Sequence, residues 1–110
     1  EKEDNVVRNY VEQMPEFPGG LSALMLWLSK HLEYPKEAVR NGLEGKVITQ
    51  FTVEKDGSVT NVKVIRDGVG GGAGDEAARV VGIMPGWKAG MQNDRPVRVL
   101  YTLPIAFSLK

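Results

Sequence analysis

The sequence predicts an α+β fold: a three-stranded mixed sheet with helices packed on one face, built in the order α-α-β-β-α-β. Three observations carry that prediction. Residues 97–109 place Val97, Val99, Tyr101, Leu103, Ile105, Phe107 and Leu109 at successive odd positions, with Arg98, Leu100, Thr102, Pro104, Ala106 and Ser108 between them. A period of two sustained over that length marks a strand with one buried face, because successive side chains leave a strand on opposite sides. Residues 46–66 hold two further alternating runs around Asp56-Gly57, a hairpin turn signal. The stretches LSALMLWLSKHL and DEAARVVGIM space their apolar residues as amphipathic helices do.

Composition bounds the function. The 110 residues suit one domain, with 42% hydrophobic and 25% charged side chains as in ordinary globular proteins. Fourteen basic and fourteen acidic residues balance to zero net charge, leaving no phosphate-neutralising excess, so no nucleic-acid partner is expected. The absence of cysteine excludes disulfide and thiolate chemistry, and a single histidine, His31, excludes multi-histidine metal sites. No cofactor is expected. No run approaches the ~20 apolar residues of a membrane span, and the opening EKEDN leads us to expect an anchor or leader upstream.

Residues 1–20 read as an N-terminal extended segment and residues 21–110 as one globular domain. Glu1 to Asn5 is a charged, frayed start. Val6, Val7, Tyr10, Val11 and Met14 are too irregular for a clear period and favour a short extended segment laid across the domain. MPEFPGG then breaks the chain, with Phe17 as a candidate packing plug. In the helix over 21–32, the stripe Leu21, Leu24, Met25, Leu28 and Leu32 is expected to cover the sheet's apolar face. Leu26 and Trp27 lie off that stripe and point to core packing or self-association. His31, near the helix C-terminus, favours the dipole if charged.

Tyr34-Pro35 breaks the chain again. Pro35 opens a short helix, PKEAVRN, with Gly42 as its left-handed C-cap and Leu43 closing against Ala38. A two-residue hairpin turn at Asp56-Gly57 sets Phe51 opposite Val62, Thr49 opposite Val64, Ile48 opposite Ile65 and Gln50 opposite Lys63. An odd-length loop would slip Phe51 to Asn61 and is disfavoured. DGVGGGAG lacks the ending of a phosphate loop and the dinucleotide spacing, so it reads as a surface connector. Asp75 is the expected N-cap of the third helix, with Glu76 in the first turn and Ala77, Val80, Val81 and Met84 as its stripe. Gly82 weakens that helix by about 1 kcal/mol relative to Ala. Pro85-Gly86 ends it, Trp87 docks back over the core, and QNDRP turns into the last strand.

A right-handed crossover returns the chain parallel to the second hairpin strand. The order is then 2-1-3, with the last strand antiparallel to the first and at an edge. Pro104 requires an edge, because proline has no amide to give a ladder. In a regular antiparallel strand Pro104 shares its orientation with Arg98, Leu100 and Thr102, which aim free backbone groups outward, while Val99, Tyr101 and Leu103 bond inward. A long open edge is a hazard or a docking rail. Asp56, Asp75 and Glu76 have no base or nucleophile beside them, so no catalysis is expected.

VEQMPEFPGG, YPKEAVRNGLEGKVITQFTVEKDGSVTNVKVIRD and DEAARVVGIMPGWKAGMQNDRPVRVLYTLPIAF closely resemble the C-terminal domain of the TonB energy-transducer family, over residues 11–109. The resemblance rests on Tyr34-Pro35, Gly42 and Gly45, Asp56-Gly57, Asp75-Glu76-Ala77, Met84-Pro85 with Trp87, and Pro96-Val97 ahead of Tyr101-Thr102-Leu103-Pro104. Ala89 stands where the family usually has proline. The resemblance implies a periplasmic domain, tethered to the inner membrane in the full-length protein. It implies coupling of proton-motive force, through inner-membrane motor proteins, to TonB-dependent outer-membrane receptors that import nutrients. The family grips a short receptor segment, the TonB box, by strand addition to the last strand. Carried onto this chain, the partner-binding residues are Arg98, Val99, Leu100, Tyr101, Thr102 and Leu103, with Tyr34 and Pro35 nearby. The same fold can also end a membrane-bound antirepressor or signalling protein as a periplasmic sensory domain. The open edge further offers a route to homodimers.

Overall fold

The structure is a computed structural model that describes residues 5–109. Its elements are β1 (Val7–Arg8), α1 (Gly20–His31), α2 (Lys36–Arg40), β2 (Gly45–Val53), β3 (Val59–Asp67), α3 (Ala73–Gly82), β4 (Gly90–Gln92) and β5 (Arg95–Phe107). The fold is α+β as expected, but the sheet has five strands rather than three, in the order β1-β5-β2-β3 with β4 also on β5. The three long strands keep the expected order. β2 lies centrally, antiparallel to β3 on one side and to β5 on the other, from Gly45 opposite Phe107 to Val53 opposite Val99.

The alternation of β5 buries Val97, Val99, Leu103, Ile105 and Phe107. With Val47, Phe51 and Val53 of β2, Leu24 and Leu28 of α1, and Ala73, Ala77, Val80 and Val81 of α3, residues Leu103 to Phe107 of that series form one core. Trp87 docks over it, its ring 5.7 Å from Phe17, 5.5 Å from Phe51 and 4.9 Å from Tyr101. Phe17 is the plug its position suggested, and it also meets Trp27 at 6.0 Å. Leu24, Trp27 and Leu28 of α1, with Leu32 just beyond it, face the core. Leu21 and Met25, expected to be buried, are left 69% and 46% exposed.

Four local expectations differ from the structure. The hairpin loop is odd, with Lys55, Asp56 and Gly57 between Glu54 and Ser58, whose backbone groups bond at 2.8 Å. Asp56 favours it: one carboxylate oxygen accepts both the amide and the hydroxyl of Ser58, at 2.9 and 2.7 Å. Asn61, at φ 53, sits in a bulge that cancels the slip, restoring Thr49 opposite Val64 and Gln50 opposite Lys63. A second irregularity sets Ile48 opposite Arg66 rather than Ile65. The N-cap of α3 is Gly72 rather than Asp75. Asp67 supplies the reason, because its carboxylate accepts the amides of Val69, Gly70 and Gly74 and so draws the glycine-rich loop into the helix start. The turn before the last strand is itself a hairpin: Asn93 and Asp94 both have positive φ, joining Gln92 to Arg95 across β4 and β5.

The fourth difference bears on the edge of the sheet. The irregular N-terminal segment is extended, as expected, and is stitched onto the sheet by backbone bonds. Val7 and Arg8 pair in parallel with Arg98 and Val99, Gln13 bridges to Met91, and Glu16 bridges to Lys88. Val11 forms a small second cluster with Val97 and Val99. α2 ends as its sequence suggested, with Gly42 at φ 64 and the Leu43 amide donating to the Ala38 carbonyl at 2.9 Å.

Candidate functional site

The margin of β5 away from β2 is partly covered: β1 pairs residues 98–99 there. Among the described residues no strand pairs residues 100–107 on that side. The expectation that Arg98 offers free backbone groups is therefore corrected, and the open stretch begins at Leu100. The cause is β1, a two-residue strand with no side-chain period by which to find it.

The Leu103 carbonyl accepts the Thr49 hydroxyl at 2.8 Å, so it faces β2. Alternation along a regular ladder then turns the main chain of Val99, Tyr101, Leu103 and Ile105 toward β2. The amides and carbonyls of Leu100, Thr102 and Ala106, and the carbonyl of Pro104, turn outward.

Side chains hold this strand rather than reaching from it. Val99 and Leu103 are buried, and half-buried Tyr101 packs on Phe51 and Trp87. Thr102 is exposed and accepts from the Gln50 amide nitrogen at 3.3 Å on the opposite face. Arg98 forms a fork on Glu54, Nε to Oε1 at 2.7 Å and Nη2 to Oε2 at 3.1 Å, and gives its remaining nitrogen to the Asn5 carbonyl at 2.9 Å. It thereby clamps the start of β1 against β5. The Arg98 bond, with a second from the Thr60 hydroxyl, holds the Glu54 carboxyl below the usual range.

Tyr34 and Pro35 lie elsewhere. The Tyr34 ring meets Phe107 edge-on at 5.4 Å, and its hydroxyl donates to the Leu43 carbonyl. Desolvation, with Glu44 nearby, pushes that phenol's pKa up. Pro35 is the N-cap of α2. Arg98 is nine residues from Phe107, about 30 Å along a strand, so Tyr34 marks the opposite end of the open stretch and is not gathered with Arg98. Sequence reasoning stopped the docking edge at Leu103. Among the described residues the unpaired stretch runs on to Phe107, and the alternation that continues past Pro104 is the signal that marks it.

Among the described residues no cluster of three or more His, Asp or Glu could hold a metal ion, and no helix is long and apolar enough to cross a membrane. Residues 30–109 match the family described as Gram-negative bacterial TonB protein C-terminal. Two relatives, both named Protein TonB and from Helicobacter pylori strains J99 and 26695, are 46% identical over 39 residues. That match covers 36% of this chain and 14% of theirs. Two solution NMR structures of the H. pylori TonB C-terminal domain are also similar. One has a TM-score of 0.58 at 30% identity over 79% of this chain and 78% of that one. The other has a TM-score of 0.54 at 29% identity, over 81% and 92%.

Proposed function

This chain belongs to the family of Gram-negative bacterial TonB C-terminal domains, and from that premise we propose that it is the periplasmic, receptor-gripping end of an energy transducer. The observation that carries the reading is the stretch of β5 over 100–107, paired with β2 on one side and, among the described residues, unpaired on the other. An extended segment of an outer-membrane receptor, the TonB box, adds there as a further strand. Each added backbone bond contributes about 1 kcal/mol net. Several loaded together in shear resist a pull, yet the set stays reversible. In the full-length protein an inner-membrane anchor and motor proteins deliver the pull that proton-motive force generates. The domain itself performs no chemistry: it holds and releases.

Amide hydrogen exchange with a synthetic peptide copied from a receptor's TonB box tests this. Protection should rise at Leu100, Thr102 and Ala106, whose amides face outward, and stay unchanged at Val99 and Leu103, which already bond to β2. Unaltered exchange at all three outward positions under saturating peptide would refute strand addition.

A further inference from the structure

Beside the open edge runs an apolar trough. Met25, Leu28 and Ser29 of α1, with Leu32 just after it, form one wall and Pro104, Ile105 and Ala106 of β5 the other, around about 230 Å³. The one hydroxyl in the lining, that of Ser29, donates to the Leu26 carbonyl at 2.7 Å and so is turned away from any visitor. Among the described residues no charged side chain lines it. The space is below the roughly 300–1,000 Å³ of small-molecule sites, and suits one or two side chains instead. Met25 stands 46% exposed at its rim.

A strand added to β5 lies about 4.8 Å further out and points its side chains to the same two faces. Those opposite Leu103, Ile105 and Phe107 fall on the face that β5 buries, where α1 packs with these residues in the core. Those opposite Thr102, Pro104 and Ala106 fall on the other face.

We infer that this trough reads the visiting segment's sequence. It accepts an extended receptor peptide carrying an apolar side chain opposite Ile105 and apolar residues at every second position beside it. The inference rests on the strand-addition reading above. The trough is continuous with that edge, and the unpaired main-chain groups of the edge require a strand as occupant. A carboxylate placed in the trough loses water and finds no partner there, so a charge at the in-facing positions is rejected. The other positions tolerate one.

Titration calorimetry with the TonB-box peptide, and with a series in which each peptide residue in turn becomes Asp, should show losses at alternate positions only. Met25→Glu should weaken the parent peptide by about tenfold, while Met25→Leu keeps its affinity. Met25 is half exposed, so both variants should melt like the original chain, and circular dichroism checks this. Equal affinity for Met25→Glu, or losses without alternation, would overturn the trough while amide protection at Leu100 and Thr102 still supported the edge. No protection and no binding by the unaltered chain would remove both. Concentration-dependent dimers that Met25→Glu abolishes, with no peptide dependence, would make a second copy the occupant and overturn the inference.

Discussion

Trp87 and Gly57 meet through their backbones, and the two residues explain much of why β5 stays where it is. The Trp87 amide donates to the Gly57 carbonyl at 2.8 Å, and its ring supports Tyr101 on the inner face of β5. Removing the ring by Trp87→Ala should cost about 3–5 kcal/mol, a large part of the ~5–15 kcal/mol that such domains possess. The indole nitrogen is buried without a hydrogen-bond partner among the described residues. Trp87→Phe therefore loses no bond and should cost much less, a contrast that urea midpoints of the two variants will measure. Gly57 has φ +87, and a Cβ there would stand 2.0 Å from the Trp87 carbonyl oxygen. Gly57→Ala should accordingly destabilise by at least about 1–3 kcal/mol, and near-wild-type urea stability would show that the loop can move away from Trp87. The importance of Trp87 was legible as a large apolar residue stranded after a Pro-Gly breaker. Its contact with Gly57 was not, since thirty residues of sequence separate them and no pattern links them.

The outward and inward halves of β5 differ in what a proline would do to them, and this separates docking from folding. Thr102→Pro removes an outward amide, as Pro104 already does two residues on, and the exposed hydroxyl that accepts from Gln50 at 3.3 Å. It should leave the melting temperature within a few degrees and abolish peptide binding, if strand addition at 100–107 is the mode of contact. Leu103→Pro removes an amide that bonds to β2 and should cost about 3 kcal/mol or more. A folded Thr102→Pro variant that binds peptide with unchanged affinity would show that binding does not use this edge. The strand was readable because β5 repeats one rule over thirteen residues and its proline names the open side. β1 was not readable, because two residues are too few to show a period. The hairpin shows another limit. On the sequence alone, a two-residue turn at Asp56-Gly57 sets Phe51 opposite Val62, and an odd loop is disfavoured because it would slip Phe51 to Asn61. The chain reached the inward register by two compensating departures, an odd loop and the Asn61 bulge, which pattern alone cannot tell from none.

Carboxylates join the elements of the whole molecule. Glu54 at the end of β2 binds Arg98 of β5 and Thr60 of β3, and Asp67 at the end of β3 holds the loop into α3. Glu76 of α3 pairs with Arg79 and accepts the Glu33 amide from the link between α1 and α2. All three carboxyl groups titrate below their ordinary range: Glu54 chiefly through the Arg98 bond, Asp67 through the Gly70 and Val69 amides, Glu76 through the Arg79 bond. A depressed pKa in the folded state means that the unfolded chain binds protons first as acid is added. The stability these groups contribute is thus fully present above the unfolded carboxyl values of about 4 and is lost as pH falls through the lower folded ones. Thermal melts should be level in this respect from pH ~8 to ~5.5 and fall increasingly between about pH 5 and 3. Glu54→Gln should lower the plateau and make the acid slope shallower, because one depressed carboxyl has been removed. A Glu54→Gln profile parallel to that of the unaltered chain would mean that the Arg98 clamp contributes nothing to acid sensitivity. Since Arg98 also holds the Asn5 carbonyl, the same acid range should raise amide exchange in β1 ahead of β2. Acid would then lengthen the open edge of β5 toward Arg98 before it unfolds the sheet.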